Sequence, residues 1–241
     1  MWTPMGPSGL DRVSVSFTAR DRRSEGKGSP GAPHSAAVDR RMATIRSATA
    51  AERATIAGAL ASAFSDDPLF TWMAKAGPER PLEPKMRTMF DAILKIDLAK
   101  PDHLVFVDED GLGAAIWRHP NKWKVPNGEL FRAMPGMLRA FGTRLPKMIG
   151  ALSAIEKVHP KDEHYYLEVL GTRKDMQSKG VGSAMMGAML ERCDAEGLPA
   201  YLESSNPRNI PFYARHGFET AREIVCGKGA PTVIAMRREP R

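Results

Sequence analysis

Cysteine is nearly missing from this chain of 241 residues, which has only Cys193 and Cys226. Two thiols without metal-ligand spacing exclude a disulfide framework, and no metal site is expected. A reducing cytoplasm is the compartment this cysteine usage implies. Long apolar runs are missing too. None approaches the ~18 residues of a membrane span. The N-terminus lacks the continuous apolar stretch of a secretory signal, so no signal peptide or membrane partner is expected. Aromatic residues make up only 7% of the chain, and no ladder of Arg or Lys interleaved with them suggests a nucleic-acid groove.

What is present is a positive balance of +7 and a hydrophobic fraction of 42%, enough for a real core. Residues 1–41 hold seven Lys/Arg and four Asp/Glu, so they supply +3 of the charge. This stretch is rich in Gly, Pro, Ser and Arg without periodicity, and reads as a disordered tail. Met42 opens a different texture, a possible native start, and residues 42–241 read as one domain. A basic surface attracts polyanions, and a phosphorylated small ligand satisfies it as well as nucleic acid does.

Along that domain the patterns alternate. Residues 43–46 read as a short strand. Thr49 and Glu52 fit a capping box before a helix with Ile56, Leu60, Ala63 and Phe64 at helical spacing. Asp66, Asp67 and Pro68 stop that helix. Residues 85–98 read as a second helix, and residues 104–107 and 113–117 as a hairpin turned at Gly111. Residues 128–157 carry apolar side chains three or four apart, which predicts helices broken near Pro135 and Pro146. Their methionine-rich stripe reads as core, with adaptable lining of a substrate pocket as the alternative. Later strands are expected at 165–172, 200–204, 218–225 and 232–236, with helices at 181–196 and 206–216 between them.

The most informative run is Gln177, Ser178, Lys179, Gly180, Val181, Gly182 and Ser183, between a strand and a long helix. The first N–H groups of a helix have no intrahelical partner, and the helix dipole is positive at that end. Glycine at 180 and 182 lets the backbone approach a bulky anion, which makes a pyrophosphate cradle. The run is not a P-loop. It also lacks the third glycine, at 185, of the dinucleotide fingerprint. A strand–turn–helix link that uses glycine only for its geometry stays open at this point.

Beyond the run come Ser205-Asn206 and then Asn209, Ile210, Pro211, Phe212, Tyr213, Ala214, Arg215, His216, Gly217 and Phe218. That order resembles the GNAT superfamily of acyl-CoA-dependent N-acetyltransferases. The pattern is most similar to the puromycin N-acetyltransferase-like branch, on Leu170-Gly171-Thr172, the glycine run, residues 202–205 and residues 207–213. The resemblance implies an α/β (α+β) GNAT fold, with a central, mostly antiparallel mixed sheet splayed at a bulge and flanked by helices. It also implies acetyl-CoA as donor, a small-molecule amine acceptor and a possible homodimer.

Residue by residue, the resemblance assigns the pantetheine arm to the backbone of Leu170, Gly171 and Thr172, with Gly171 at the bulge. Residues 177–183 would hold the pyrophosphate, with Lys179 or Ser183 adding contacts; Lys179 reads equally as a solvated charge. Asn206, Asn209 and Phe212 would lie near the cofactor. Tyr213 is the expected catalytic acid, because the departing thiolate needs a proton and a phenol can donate one. Glu168 and Glu203 are alternative general bases, and each reads equally as an ion-paired strand carboxylate. His159 and His164 are further candidates. Trp117 would line the acceptor pocket or pack in the core. Cys193 lies mid-helix, badly placed for a covalent intermediate, so direct transfer in a ternary complex is expected. The alternatives are acetylation of a protein lysine or N-terminus, and a non-catalytic acyl-CoA-binding module.

Overall fold

The computed structural model describes residues 44–241, so the tail and its boundary at Met42 lie outside the described residues. Seven strands form one sheet in the order β1-β2-β3-β4-β5-β7-β6. Their spans are β1 (Ile45–Ser47), β2 (Leu104–Asp108), β3 (Gly113–Arg118), β4 (Tyr165–Thr172), β5 (Ala200–Ser204), β6 (Glu219–Val225) and β7 (Thr232–Arg238). Every neighbouring pair is antiparallel except β4 and β5. A parallel pair needs a crossover. Here it is α6 (Val181–Glu196).

The remaining helices are α1 (Arg53–Ala63), α2 (Pro68–Ala74), α3 (Glu83–Asp97), α4 (Asn127–Phe141), α5 (Leu145–Val158) and α7 (Ile210–Arg215). Two buried clusters cover the two faces of the sheet. One joins α1 to α5 with Val105, Ile116, Val169 and Tyr201. The other packs α6, through Met185, Met186 and Met189, on Trp117, Tyr165, Leu167 and Leu202. This is strand alternation at work: Tyr201 and Leu202, one residue apart, serve opposite faces. Among the described residues no helix is long and apolar enough to cross a membrane.

Three expectations need correction. Asp67 does more than mark the end of α1: its carboxylate accepts from Phe70 N at 2.9 Å, and with Pro68 in the first turn it starts α2. Pro135 does not break its helix. α4 runs through it to Phe141, and the interruption comes at Gly142, whose φ of +52° suits glycine. The apolar stripe of α4 and α5 is only partly core. Ala133, Met137, Met148 and Ala151 are buried, whereas Phe131 is 80% exposed and Leu138 and Leu152 are also exposed.

The bulge also moves. Against β3, Trp117 pairs with Leu167 and Ile116 with Val169, which leaves Glu168 as the extra residue; Gly171 pairs regularly with Ala114. Glycine at 171 answers a different demand. A Cβ there would meet Ala63 Cβ at 2.9 Å and Leu60 Cδ2 at 3.0 Å, so this glycine lets α1 lie close on β4. Gly171→Ala is therefore expected to destabilise the fold by about 1–3 kcal/mol through overpacking. Urea denaturation checks this, and an unchanged midpoint would refute the packing account.

Candidate active site

β4 pairs with β5 only over Tyr165–Leu167 against Ala200–Leu202. Beyond that point β4 continues to Thr172 on β3 alone, and the two strands diverge. The β5-facing backbone groups of residues 169–172 thus lack a strand partner, and they border a cleft of about 620 Å³. Leu170, Gly171 and Thr172 line it on one side. The start of α6 closes its end, and α7 forms the other wall.

The α6 end of the cleft is built for an anion. Gly180 is the N-cap at φ +89°, and no side chain caps the helix. The first N–H groups of a sixteen-residue helix are therefore left to whatever lies in front of them. Ser178 also has a positive φ, of 63°, which tightens the loop. Gln177 Nε2 donates to Thr172 O at 3.2 Å and ties the loop back to β4. Gly182 faces Phe212, whose ring would stand 3.5 Å from an added Cβ. Lys174, Arg208 and Arg215 add positive charge along the cleft. His216 Nε2 lies 3.2 Å from Ser183 Oγ. Burial first, then the Arg215 and Arg238 charges, push this histidine down to about 4, so it is neutral at pH 7. An uncapped helix end, a glycine turn and a basic rim fit a pyrophosphate.

The predicted donor-site residues converge on this cleft with one exception. Residues 170–172, Gln177, Ser178, Gly180, Val181, Gly182, Ser183, Asn206, Asn209 and Phe212 line it. Lys179 does not; its ammonium turns outward to Met176 Sδ at 3.2 Å, as a solvated charge would. Asn206 also caps the turn before α7, accepting from Arg208 N at 3.1 Å.

Tyr213 is 8% exposed and lies on the cleft wall. Burial, and then the charge of Asp67, push its phenol up, so it keeps its proton at neutral pH. Asp67 is the residue that sequence reasoning missed. It lines the cleft beside Tyr213, is 6% exposed, and is held by Ser205 Oγ at 2.5 Å as well as by Phe70 N. Burial pushes its carboxyl up, against those two hydrogen bonds. The available signal was Asp67-Pro68, a helix-start pair hidden here after Asp66 and read as a stop.

The two predicted carboxylates stand on either side of the point where the strands part. Glu168 is the bulge residue, and its carboxylate pairs with Arg118, which also grips Asp97 in a bidentate contact at 2.6 and 2.9 Å. Burial pushes Glu168 up, and Arg118 opposes the shift. Glu203 is the first β5 residue beyond the last β4 pair. Its Oε1 lies 3.2 Å from His159 Nδ1, on a side chain only 5% exposed. Trp117 is placed in the core under α6 at 2% exposure and does not line the cleft. Cys193 is fully buried in α6, and burial pushes its thiol up to about 12, far from a nucleophile's range. Among the described residues no cluster of His, Cys, Asp or Glu has the makings of a metal site.

The Acetyltransferase (GNAT) family matches residues 114–218, which span the bulged strand, the glycine turn, α6 and α7. An uncharacterized N-acetyltransferase of Schizosaccharomyces pombe is 29% identical over 197 residues, covering 76% of this chain and 78% of that protein. A Corynebacterium glutamicum structure described as histone acetyltransferase HPA2 and related acetyltransferase superposes with a TM-score of 0.61. It is 25% identical and covers 82% of this chain and 96% of its own. The polyamine N-acetyltransferase of Drosophila melanogaster shares the fold at a TM-score of 0.55 and 14% identity, over 81% of this chain and 98% of its own. The splayed sheet, the uncapped glycine turn and these likenesses lead to one conclusion: residues 114–218 match the GNAT acetyltransferase family, and the chain has the fold of known GNAT acetyltransferase structures.

Proposed function

We propose that this chain moves an acetyl group from acetyl-CoA to a primary amine of a small molecule, by direct transfer in a ternary complex. One observation carries the reading. A single cleft joins an uncapped helix end at α6, a strand edge without a partner on β4, and the buried phenol of Tyr213 beside the carboxylate of Asp67. The catalytic domain is taken as residues 42–241.

Acetyl-CoA, when bound, supplies a thioester. In this reading the N–H groups of residues 180–183 hold its pyrophosphate, and the free edge of residues 170–172 hydrogen-bonds its pantetheine arm. A backbone N–H near Leu170 polarises the thioester carbonyl. Tyr213 Oη gives its proton to the leaving sulfur, and burial keeps that proton in place until then. Asp67 holds the ammonium of the acceptor. Neither carboxylate at the splay lines the cleft, and each is engaged, Glu168 by Arg118 and Glu203 by His159, so the amine's proton reaches one of the two through water.

The acceptor belongs to the class of small metabolites or antibiotics, and the motif likeness puts puromycin among the candidates. The fly enzyme of the same fold is named for polyamines, which adds them to the set. A second reading, a lysine side chain of a protein, is favoured by the histone acetyltransferase name of the Corynebacterium structure. Acetyl-CoA turnover against puromycin, polyamines, arylalkylamines and lysine peptides separates the two. Release of free CoA with a small amine and none with peptides is expected; the reverse pattern would overturn the small-molecule assignment.

Two variants test the roles. Tyr213→Phe is expected to lower kcat by about 10²-fold or more with the KM for acetyl-CoA nearly unchanged. An unaltered kcat would remove Tyr213 from the reaction. Asp67→Asn keeps a hydrogen-bonding cap for α2 but loses the charge. It is expected to raise the KM of the amine about tenfold and leave acetyl-CoA binding intact; an unchanged amine KM would remove Asp67 from acceptor binding.

A further inference from the structure

A second cleft, of about 810 Å³, lies between α1, α3 and α4 and shares no lining residue with the cleft at α6. α3 contributes one face to it. Arg87, Asp91 and Lys95 follow at intervals of four, with Ala92 and Ile96 beside them. From Arg87 to Ala99 that face is about 18 Å long, at ~1.5 Å per residue. α4 lies close against α3, because a Cβ on Gly136 would meet Ala92 Cβ at 2.5 Å. The cleft is therefore a groove along α3 with helices on both sides.

Its charges are unbalanced. The one lining carboxylate, Asp91, is already answered by Arg53 at 2.9 Å. Arg87, Lys95, Arg132 and Arg139 also line the groove, and all four are exposed. None of them has an ion-pair partner among the described residues. Four unanswered cations around one groove set up a positive field that attracts an anionic occupant. Residues 1–41 hold seven Lys/Arg and four Asp/Glu, so the chain's own tail has the wrong sign.

The rest of the lining is mostly apolar, through Ala54, Ala57, Ala92, Ile96 and Pro135. None of the lining residues is aromatic, so nucleic-acid bases would find no stacking platform. Phe131 and Leu138 precede Arg132 and Arg139 by one position each on α4, and they are 80% and 55% exposed. Apolar surface thus continues beyond the cations, as it does on contact faces. The occupant has to offer both carboxylates and apolar side chains, which a peptide does and a polyphosphate does not.

We infer that this groove docks an acidic amphipathic helix of a partner protein. Its apolar face lies on Ala92 and Ile96. Its carboxylates, spaced three or four apart, meet Arg87 and Lys95 from α3 and Arg132 and Arg139 from α4. A helix fits better than a strand. The groove is lined by helices, whose backbone groups are bonded internally, so an extended peptide would find no edge to pair with. A helix satisfies its own backbone and binds through side chains alone. About twelve residues of helix match the length of the α3 face. Docking here is independent of acetyl transfer.

The test pans a displayed library of random peptides, of about 16 residues or four helical turns, against the full chain. Two variants serve as controls: Arg132→Glu combined with Arg139→Glu, and Lys95→Glu. Enriched peptides are expected to carry Asp or Glu three or four apart, with Ala or Leu on the opposite face. Measured by fluorescence anisotropy, their affinity is expected to fall about tenfold or more in each variant, and to fall with added salt. Circular dichroism and acetyl-CoA affinity are expected to stay unchanged in both variants; if the α4 pair unfolds, Lys95→Glu decides. No enrichment, enrichment without acidic bias, or binding that survives both variants would overturn the proposal. So would equal binding of a scrambled peptide of the same composition. A single-stranded oligonucleotide of equal charge that binds as tightly would assign the groove to nucleic acid instead. Sedimentation showing a dimer that the α4 pair dissociates would make it a contact between copies of this chain, and would overturn the proposal too.

Discussion

The site depends on where β4 stops pairing with β5. Three residue pairs join them, and then a bulge at Glu168 turns β4 away. A bulge bends and twists its strand. Here it is pinned by charge: Arg118, from β3, bonds Glu168 at the bulge and Asp97 at the end of α3. Three largely buried ionisable groups cost several kcal/mol each to dehydrate unless they satisfy one another. The cluster therefore fixes one geometry for the divergence. Without that divergence β4 would offer no free edge and no cleft would open.

The divergence gives the two strands different tasks. β4, beyond the bulge, contributes backbone. β5 and the residue just after it contribute side chains on alternate positions, Glu203 facing the buried His159 and Ser205 facing Asp67. Period-two alternation brings both onto one face of the strand. α1 closes over β4 because Gly171 has no Cβ, and α6 delivers its uncapped end because Gly180 accepts a left-handed turn. Polar chemistry is thereby confined to a narrow zone between two apolar clusters, where low dielectric strengthens each charge–dipole contact.

Sequence reasoning reached the elements that local rules govern. The glycine run, the long helix behind it and the hairpin turned at Gly111 all derive from backbone preference and spacing, and the structure has them in place. It failed where the deciding contact is remote. Gly171 reads as the bulge because glycine in a strand often marks one, yet the extra residue is Glu168, and its partners Arg118 and Asp97 come from much earlier in the chain. Asp67 reads as punctuation, since nothing local says that Ser205, 138 residues on, would hold it at the cleft.

The sequence by itself determined the glycine turn and the open end of α6, because helix-end polarity and glycine backbone freedom are local properties that a few adjacent residues encode. Only the tertiary structure decided the rest: that Lys179 lies outside the cleft, that Trp117 is core, that Asp67 lines the cleft with Tyr213, and that Glu203 meets His159. Those are facts about side chains from distant segments meeting in a desolvated space. What a carboxylate or an imidazole does there depends on its neighbours more than on its own identity.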